Sequence, residues 1–223
     1  MPSWKKSWMV VGMTKEPSLR ERKKLATRAA LSRAAWSLMV EQGLDAATPE
    51  AIAAAVDVSP RTFRNYFASR EEAILDGLVK SGTSLLDAMR ARPLEEPPWD
   101  SLTQVLPSFA AQYAGQRDNF AVLMRVVGEQ PSMRAQHVVT YEQADQQLAE
   151  LIAERTGTDT ERDLTPRLLA AAAAAVLRTS MEMWAKGDTD VALPDLVREG
   201  LRQVRAGLPI GAPVAASQPS PAV

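Results

Sequence analysis

The sequence contains no cysteine and only one histidine, His137, among its 223 residues. The absence of cysteine excludes disulfide bonds and thiolate metal sites. A zinc site with a single histidine would need several carboxylates, which is an unfavourable ligand set. We therefore predict neither a metal nor a cofactor. The composition fits a reducing compartment, and we predict a cytoplasmic location.

Long apolar runs are also missing. No stretch approaches the roughly 18 apolar residues that a membrane-spanning helix needs, so no membrane interaction is predicted. The apolar run at residues 8–11 is shorter than a signal-peptide core of about 7–15 residues, and we interpret residues 1–17 as a flexible tail. Residues 208–223 are rich in proline, alanine and serine and are predicted to be disordered.

Common catalytic motifs are absent as well. The chain has no cysteine nucleophile and no glycine-rich loop that would hold a phosphate. A Ser-His-Asp arrangement would have to use His137, yet no serine lies in a nucleophile-elbow motif. The sequence therefore predicts a protein that is not an enzyme.

The charge is unevenly distributed, although the net charge is only -1. Residues 1–70 carry 12 Lys or Arg and 6 Asp or Glu, whereas the remainder carries 14 and 21. A basic N-terminal third on an acidic remainder indicates that the first part contacts a polyanion.

What is present predicts an all-α fold. Alanine is abundant, alternating β-branched runs are absent, and prolines stand where helices start or stop. The predicted helices cover residues 19–42, 48–56, 59–66, 69–92, 99–115, 117–129, 133–156, 166–186 and 194–206.

The most informative stretch is residues 48–67, TPEAIAAAVDVSPRTFRNYF. Thr48-Pro49 and Ser59-Pro60 each predict a capped helix start, because the hydroxyl accepts a free backbone N–H and proline suits the first helical position. Asp57-Val58 is predicted to form the tight turn between the two helices. Two short capped helices in this order form a helix-turn-helix. The residues expected to pack the helices together are apolar: Ile52, Val56, Val58, Phe63 and Phe67.

The outer face of the second helix carries hydrogen-bonding side chains. They are Arg61, Thr62, Arg64, Asn65 and Tyr66. One helix fits the major groove of DNA, where arginine pairs with guanine and threonine contacts a base edge or the thymine methyl group. Ser69 and Glu72 then predict a capping box at the start of the next helix. The alternative is a plain helix pair with a solvated face.

Residues 20–80, through this motif and the following capping box, resemble the TetR family of bacterial regulators. The resemblance implies a DNA-binding domain at 18–67 and a helical effector-binding and dimerisation domain at 68–207. By position, Arg61, Thr62 and Asn65 resemble groove-facing residues, and Thr48, Tyr66 and Arg70 resemble phosphate contacts. Arg64 stands where the family commonly has tyrosine, so its target is a base or a phosphate. Ser59 caps the DNA-reading helix, and Lys23, Lys24 and Arg28 would add non-specific attraction.

The resemblance also implies a ligand pocket and a homodimer. An apolar pocket would suit a small hydrophobic effector, although core packing is the alternative for each candidate lining residue. The candidates are Trp99, Phe109, Tyr113, Phe120, Met124, Met133, His137, Tyr141, Met181 and Trp184.

The six alanines at 170–175 and an apolar stripe on the last helix are predicted to pair with their copies, unless both are intrachain core. That stripe comprises Leu193, Leu196, Val197, Gly200, Leu201, Val204 and Leu208.

The resulting hypothesis is a ligand-released repressor that binds a palindromic operator as a homodimer. Two alternatives are a helical small-molecule-binding protein with a weak or vestigial DNA-binding head, and an architectural DNA-binding protein without a sensor. The operator sequence and the effector are not specified by the sequence.

Overall fold

The structure, a computed structural model, describes residues 18–208. Within this range the chain forms nine α-helices, one 3₁₀ turn (Leu44–Ala46) and no strand, which confirms the predicted all-helical fold. The tails predicted at residues 1–17 and 208–223 lie outside the described residues, apart from Leu208. The helices are α1 (Leu19–Gln42), α2 (Pro49–Ala54), α3 (Pro60–Arg64), α4 (Arg70–Arg90), α5 (Pro98–Ala111), α6 (Arg117–Glu129), α7 (Pro131–Thr156), α8 (Leu164–Lys186) and α9 (Leu193–Arg205).

The chain divides into two compact units, Met1–Ile74 and Leu75–Val223. The boundary predicted between residues 67 and 68 lies a few residues before this division. In the first unit, α1, α2 and α3 enclose a core built around the buried side chains of Met39, Ile52, Phe63 and Phe67. The two phenylalanine rings lie 5.8 Å apart. A buried aromatic pair fixes the second short helix against the first because it removes a large apolar area from water.

The predicted helix starts are confirmed in the first unit. The hydroxyl of Thr48 accepts the N–H of Ala51 at 3.1 Å, and that of Ser59 accepts the N–H of Thr62 at 3.1 Å. Asp57, in the turn between them, has a φ of 55°. Aspartate tolerates this left-handed conformation better than most residues, so the predicted tight turn is confirmed.

The capping box at α4 differs from the prediction in one bond. The N–H of Glu72 donates to the hydroxyl of Ser69 at 3.0 Å, as expected. The Glu72 carboxylate, however, accepts the N–H of Ala68 at 2.8 Å instead of the Ser69 N–H. The other oxygen of this carboxylate lies 3.4 Å from Arg28, so the side chain satisfies two partners at once.

Several helices end earlier than predicted. The last turn of α3 tightens, since the N–H of Tyr66 donates to the carbonyl of Phe63, three residues back. The residues after α5 do the same, with Tyr113 donating to Ala110. Such hydrogen bonds, from a backbone N–H to the carbonyl three residues earlier, satisfy the last carbonyls of a helix and end its regular geometry.

In the second unit, α8 packs against α6, α7 and α9, and α9 also packs against α5. Three residues of the apolar stripe, Leu193, Val197 and Leu201, are almost fully buried inside the chain. Leu196 and Val204 are only partly buried, and Leu208 is exposed. For these three residues the prediction of pairing with a second copy was wrong, because α5 and α8 pack against α9 and bury Leu193, Val197 and Leu201. For the rest of the stripe it stays a prediction.

Helix α8 also corrects the prediction that no stretch is long and apolar enough to span a membrane. By length and mean hydropathy alone, α8 meets that requirement among the described helices. Its run of alanines raises the mean hydropathy. The core helix of a globular protein meets the same requirement, and α8 packs against four other helices of the described chain, α5, α6, α7 and α9.

Close approach between α8 and α9 depends on Gly200. A Cβ atom added at this position would lie 2.7 Å from Cγ1 of Val176. Valine is held in one side-chain rotamer within a helix, so it cannot easily move aside.

We predict that Gly200→Ala lowers the free energy of unfolding by about 1–2 kcal/mol, because overpacking outweighs the better helix propensity of alanine. The matched control is Gly128→Ala, since nothing lies within 4 Å of an added Cβ there. The control should be neutral or stabilising. Urea unfolding of both variants checks this, and equal stabilisation by the two substitutions would contradict the account.

Candidate DNA-binding face and ligand cavity

The DNA-reading candidate, α3, has only five residues. Its start is fixed by Ser59, whose hydroxyl also lies 2.9 Å from that of Thr62. Its inner side is fixed by Phe63, which is almost completely buried. The helix therefore presents its outer side chains from a position set by one cap and one buried ring.

Arg28 of α1 holds the end of α3. Its Nη1 donates to the carbonyl of Tyr66 at 2.8 Å, and its guanidinium lies 4.3 Å from the centroid of the Phe67 ring. Its Nη2 lies 3.4 Å from Glu72 at the start of α4. The side chain is half-buried. Its role in the fold is thus positional, whereas the sequence suggested only non-specific attraction to DNA.

The outer face of α3 is solvent-exposed and basic. Arg61, Arg64 and Asn65 are all exposed. Within residues 18–208, the Arg61 side chain makes no hydrogen bond or ion pair, so its guanidinium is available to an external partner. Arg64 lies 3.8 Å from Glu50, but both side chains are more than 60% exposed. Such an exposed pair is weak and easily exchanged for a phosphate.

The remaining predicted contacts surround this face. Thr62 and Tyr66 are half-buried beside it, Ser59 is exposed at the start of α3, and Thr48 is half-buried at the start of α2. The hydroxyls of Thr48 and Ser59 each accept a backbone N–H. Thr48 is left to donate its proton outward, whereas Ser59 also shares a hydrogen bond with the hydroxyl of Thr62. Their contacts with DNA stay predictions.

Arg70, which the family resemblance assigns to a phosphate contact, also forms hydrogen bonds within the first unit. Its Nη1 donates to the carbonyl of Leu44 at 2.9 Å, and its Nε donates to Glu71 at 3.2 Å. Only 26% of the side chain is exposed. A DNA phosphate could therefore be contacted only through those N–H groups of Arg70 that do not already donate to Leu44 or Glu71.

The second unit contains a cavity of about 110 Å³ between α4, α5, α7 and α8. Four of the candidates from the sequence line it, namely Phe109, Tyr113, Tyr141 and Met181. One wall comes from α4, which the sequence analysis did not assign to the pocket. That wall consists of Leu78, Val79, Gly82, Leu85 and Leu86. Their spacing of three and four residues is the signal that would have revealed an apolar face on α4.

The other candidates lie outside the cavity lining. Phe120 is buried and its ring packs edge-on against that of Tyr113, with centroids 5.7 Å apart. Trp184 is buried, and its carbonyl accepts the Nε of Arg117. The His137 ring lies 4.5 Å from the Tyr141 ring, centroid to centroid, and is tilted by 57° to it. Burial lowers the pKa of His137. Also outside the lining are Trp99, Met124 and Met133.

A few polar groups interrupt the apolar wall. Burial raises the pKa of Tyr141 to about 12 and also raises that of Tyr113. Both hydroxyls are thus neutral at physiological pH and can donate or accept a hydrogen bond. Asp145 adds a carboxylate whose pKa is raised, mainly by burial. Apolar walls with a few polar groups are typical of small-molecule sites.

The end of α4 beside this cavity is held by Arg155 of α7. Its Nη1 donates to the carbonyls of Met89 at 2.9 Å and Arg92 at 3.2 Å, and its Nη2 donates to that of Pro93 at 2.7 Å. These carbonyls lack partners within the helix, since they lie at or after its last turn. One arginine therefore fixes the C-terminal end of the α4 wall.

An exposed basic helix behind a short capped helix in the first unit, with a cavity inside a second helical unit, is typical of helix-turn-helix transcription regulators. The chain belongs to the TetR family. Residues 31–75 match the model for "Bacterial regulatory proteins, tetR family", and residues 96–209 match the model for the MftR C-terminal domain. Membership of this DNA-binding, non-enzymatic family confirms the prediction of a regulator rather than an enzyme.

A curated relative is the HTH-type transcriptional regulator TcmR of Streptomyces glaucescens. It is 35% identical over 185 residues, which cover 78% of this chain and 80% of the relative. Among solved structures, FadR of Thermus thermophilus superposes with a TM-score of 0.58 at 22% identity, over 88% of this chain and 100% of that one. FadR of Bacillus halodurans gives 0.56 at 19% identity, over 82% and 96%. These structural matches show the shared fold.

Two arginines of the DNA-binding unit should respond differently to truncation. We predict that Arg70→Ala lowers the free energy of unfolding by about 1–3 kcal/mol, because it removes a charged donor from the Leu44 carbonyl. Arg61→Ala is the matched control, and as an exposed substitution it should change stability by less than about 0.5 kcal/mol. Thermal unfolding of both variants measures the difference. A wild-type melting temperature for Arg70→Ala would show that its contacts inside the unit contribute nothing.

Proposed function

We propose that this TetR-family regulator is a ligand-released repressor that acts in the cytoplasm and binds a palindromic operator as a homodimer. The observation that carries the proposal is the exposed, unpaired guanidinium of Arg61 on a helix fixed by buried aromatic rings. Preorganised hydrogen-bonding groups on one helix are what major-groove recognition requires.

We assign base contacts to Arg61, Thr62 and Asn65. Arginine pairs with both acceptors of guanine, and asparagine with adenine. We assign contacts with the phosphates of the DNA backbone to Thr48, Ser59, Tyr66 and Arg70. Such contacts fix the register of a protein on the duplex. Arg64 can exchange its exposed partner Glu50 for a phosphate or a base edge.

The homodimer is proposed to form through the outward face of α8. The apolar residues of this face remain exposed in the single chain: Leu164, Leu168, Ala171, Ala175 and Met183. Small side chains let two helices approach closely. On α9 the exposed face is charged instead, with ion pairs from Arg198 to Asp195 and from Arg202 to Glu199. We place these charged residues at the rim and the α8 face at the centre of the interface.

The cavity in the second unit is proposed as the effector site. The Thermus thermophilus FadR structure is a complex with lauroyl-CoA, which supports an amphiphilic or hydrophobic effector for a domain of this fold. Helix α4 begins in the first unit and continues beyond Ile74, so an effector that contacts its second half acts on the helix that leads out of the DNA-binding unit. Release then requires that the effector bind one conformation of the dimer better than the other.

DNA recognition is tested with the duplex upstream of the chain's own gene and a scrambled duplex of equal length. We expect fluorescence anisotropy to show preference for the upstream duplex, and Arg61→Ala to reduce that preference by about 1–3 kcal/mol. The control is Arg33→Ala, an exposed arginine outside the motif, which should keep the preference. Equal binding of both duplexes by the wild-type protein would contradict the proposal and favour a vestigial DNA-binding head.

The proposed interface is tested by placing a charge at its centre. We expect Ala175→Glu to convert the dimer to a monomer in sedimentation, because an unpaired carboxylate would be buried in an apolar interface. Ala135→Glu, at an exposed position of α7, is the matched control and should remain dimeric. A dimer that survives Ala175→Glu would locate the interface elsewhere.

A further inference from the structure

We propose that the cavity of the second unit selects hydrophobic organic cations, such as a primary amine on an aromatic body, over anionic ligands. Asp145 would supply the opposing charge, and the aromatic lining would hold the apolar body. This inference rests on the proposed function only in taking the cavity as the effector site.

The charge of the cavity lining favours a cation. Among residues 18–208, no lysine, arginine or histidine contributes to it, and Asp145 is the lining residue that carries a charge at neutral pH. The other polar residues are neutral: Tyr113, Thr140, Tyr141, Gln143 and Gln147. A carboxylate or phosphate ligand would therefore meet one like charge and no counter-charge from the wall. Juxtaposed like charges are unfavourable, most of all where water is excluded.

The carboxylate of Asp145 is partly buried, without a partner in the described part of the chain that would compensate its charge. Its side chain is half-buried, and within residues 18–208 it makes no hydrogen bond or ion pair. The positive charge of Arg178 acts on Asp145 electrostatically. The ion-pair partner of Arg178, however, is Glu182, with Nη1 of the arginine 3.7 Å from Oε1 of the glutamate. Glu142 adds a repulsive influence. Burial raises the pKa of Asp145, which shows that the carboxylate loses favourable solvation that a bound cation would restore.

Aromatic rings share the cavity lining with this carboxylate. The rings of Phe109 and Tyr113 lie 5.5 Å apart in an edge-to-face arrangement, and Tyr141 is one helical turn before Asp145. The faces of aromatic rings attract cations. Because the pKa of Tyr141 is about 12, its ring stays neutral and adds no second negative charge. The combination of one carboxylate and several rings discriminates a cation from a neutral molecule of the same shape.

The test uses three probes with one naphthalene body and different head groups: 1-naphthylmethylamine, 1-naphthalenemethanol and 1-naphthoate. We expect titration calorimetry of the full chain at neutral pH to show the amine binding at least about tenfold tighter than the alcohol, with the carboxylate weakest. Asp145→Asn should abolish the difference between amine and alcohol while the alcohol affinity stays unchanged. Retained alcohol binding also shows that the variant is folded.

The matched control is Glu154→Gln, an exposed carboxylate on the same helix but outside the cavity lining, which should keep the tenfold preference. Equal binding of the three probes, preference for the carboxylate, or failure of all three to bind would overturn the proposal. An Asp145→Asn variant that still prefers the amine would also overturn it. Operator binding is followed in the same samples by anisotropy. Amine binding without release of DNA would uphold the charge selectivity and contradict the ligand-released repressor.

Discussion

Arg28 places one guanidinium group at the end of α3 and at the start of α4. It donates to the carbonyl of Tyr66, lies over the ring of Phe67 and contacts the carboxylate of Glu72. A helix of five residues has no stability of its own, since isolated helices below about 12–15 residues are marginal in water. The direction in which the DNA-binding side chains point therefore depends on this contact and on the buried aromatic pair beneath it.

Arginine serves two separate purposes in this chain, and burial distinguishes them. Arg28, Arg70 and Arg155 are at most partly exposed and donate to backbone carbonyls at or beyond the ends of helices and turns. Arg61 and Arg64, in contrast, extend from α3 into solvent. The partly buried arginines fix helix ends, and the exposed ones are available to DNA. Within residues 18–74, the same residue type therefore serves both to hold the helices together and to present positive charge to solvent.

Local chemistry made much of the fold predictable from the sequence. The bounds of α1 and α6 agree with the prediction, and so do the caps at Thr48 and Ser59, because glycine, proline and hydroxyl residues act on the backbone next to them. The cavity was less predictable. Which aromatic residues line it depends on which helix faces meet, so Phe109 and Tyr141 line it whereas Trp99 and Trp184 do not. The partner of α9 was unpredictable for the same reason. An apolar stripe has the same sequence pattern whether α5 of the same chain or a second copy packs against it.

In the proposed homodimer, two symmetry-related copies of α3 read DNA. The measurement that tests it most directly is a hydroxyl-radical footprint of the wild-type protein on the DNA upstream of its own gene. The account predicts two protected half-sites of inverted sequence, with centres one helical turn of about 10–10.5 base pairs, or a whole number of turns, apart. A single protected segment without inverted symmetry, or uniform protection along the duplex, would contradict it.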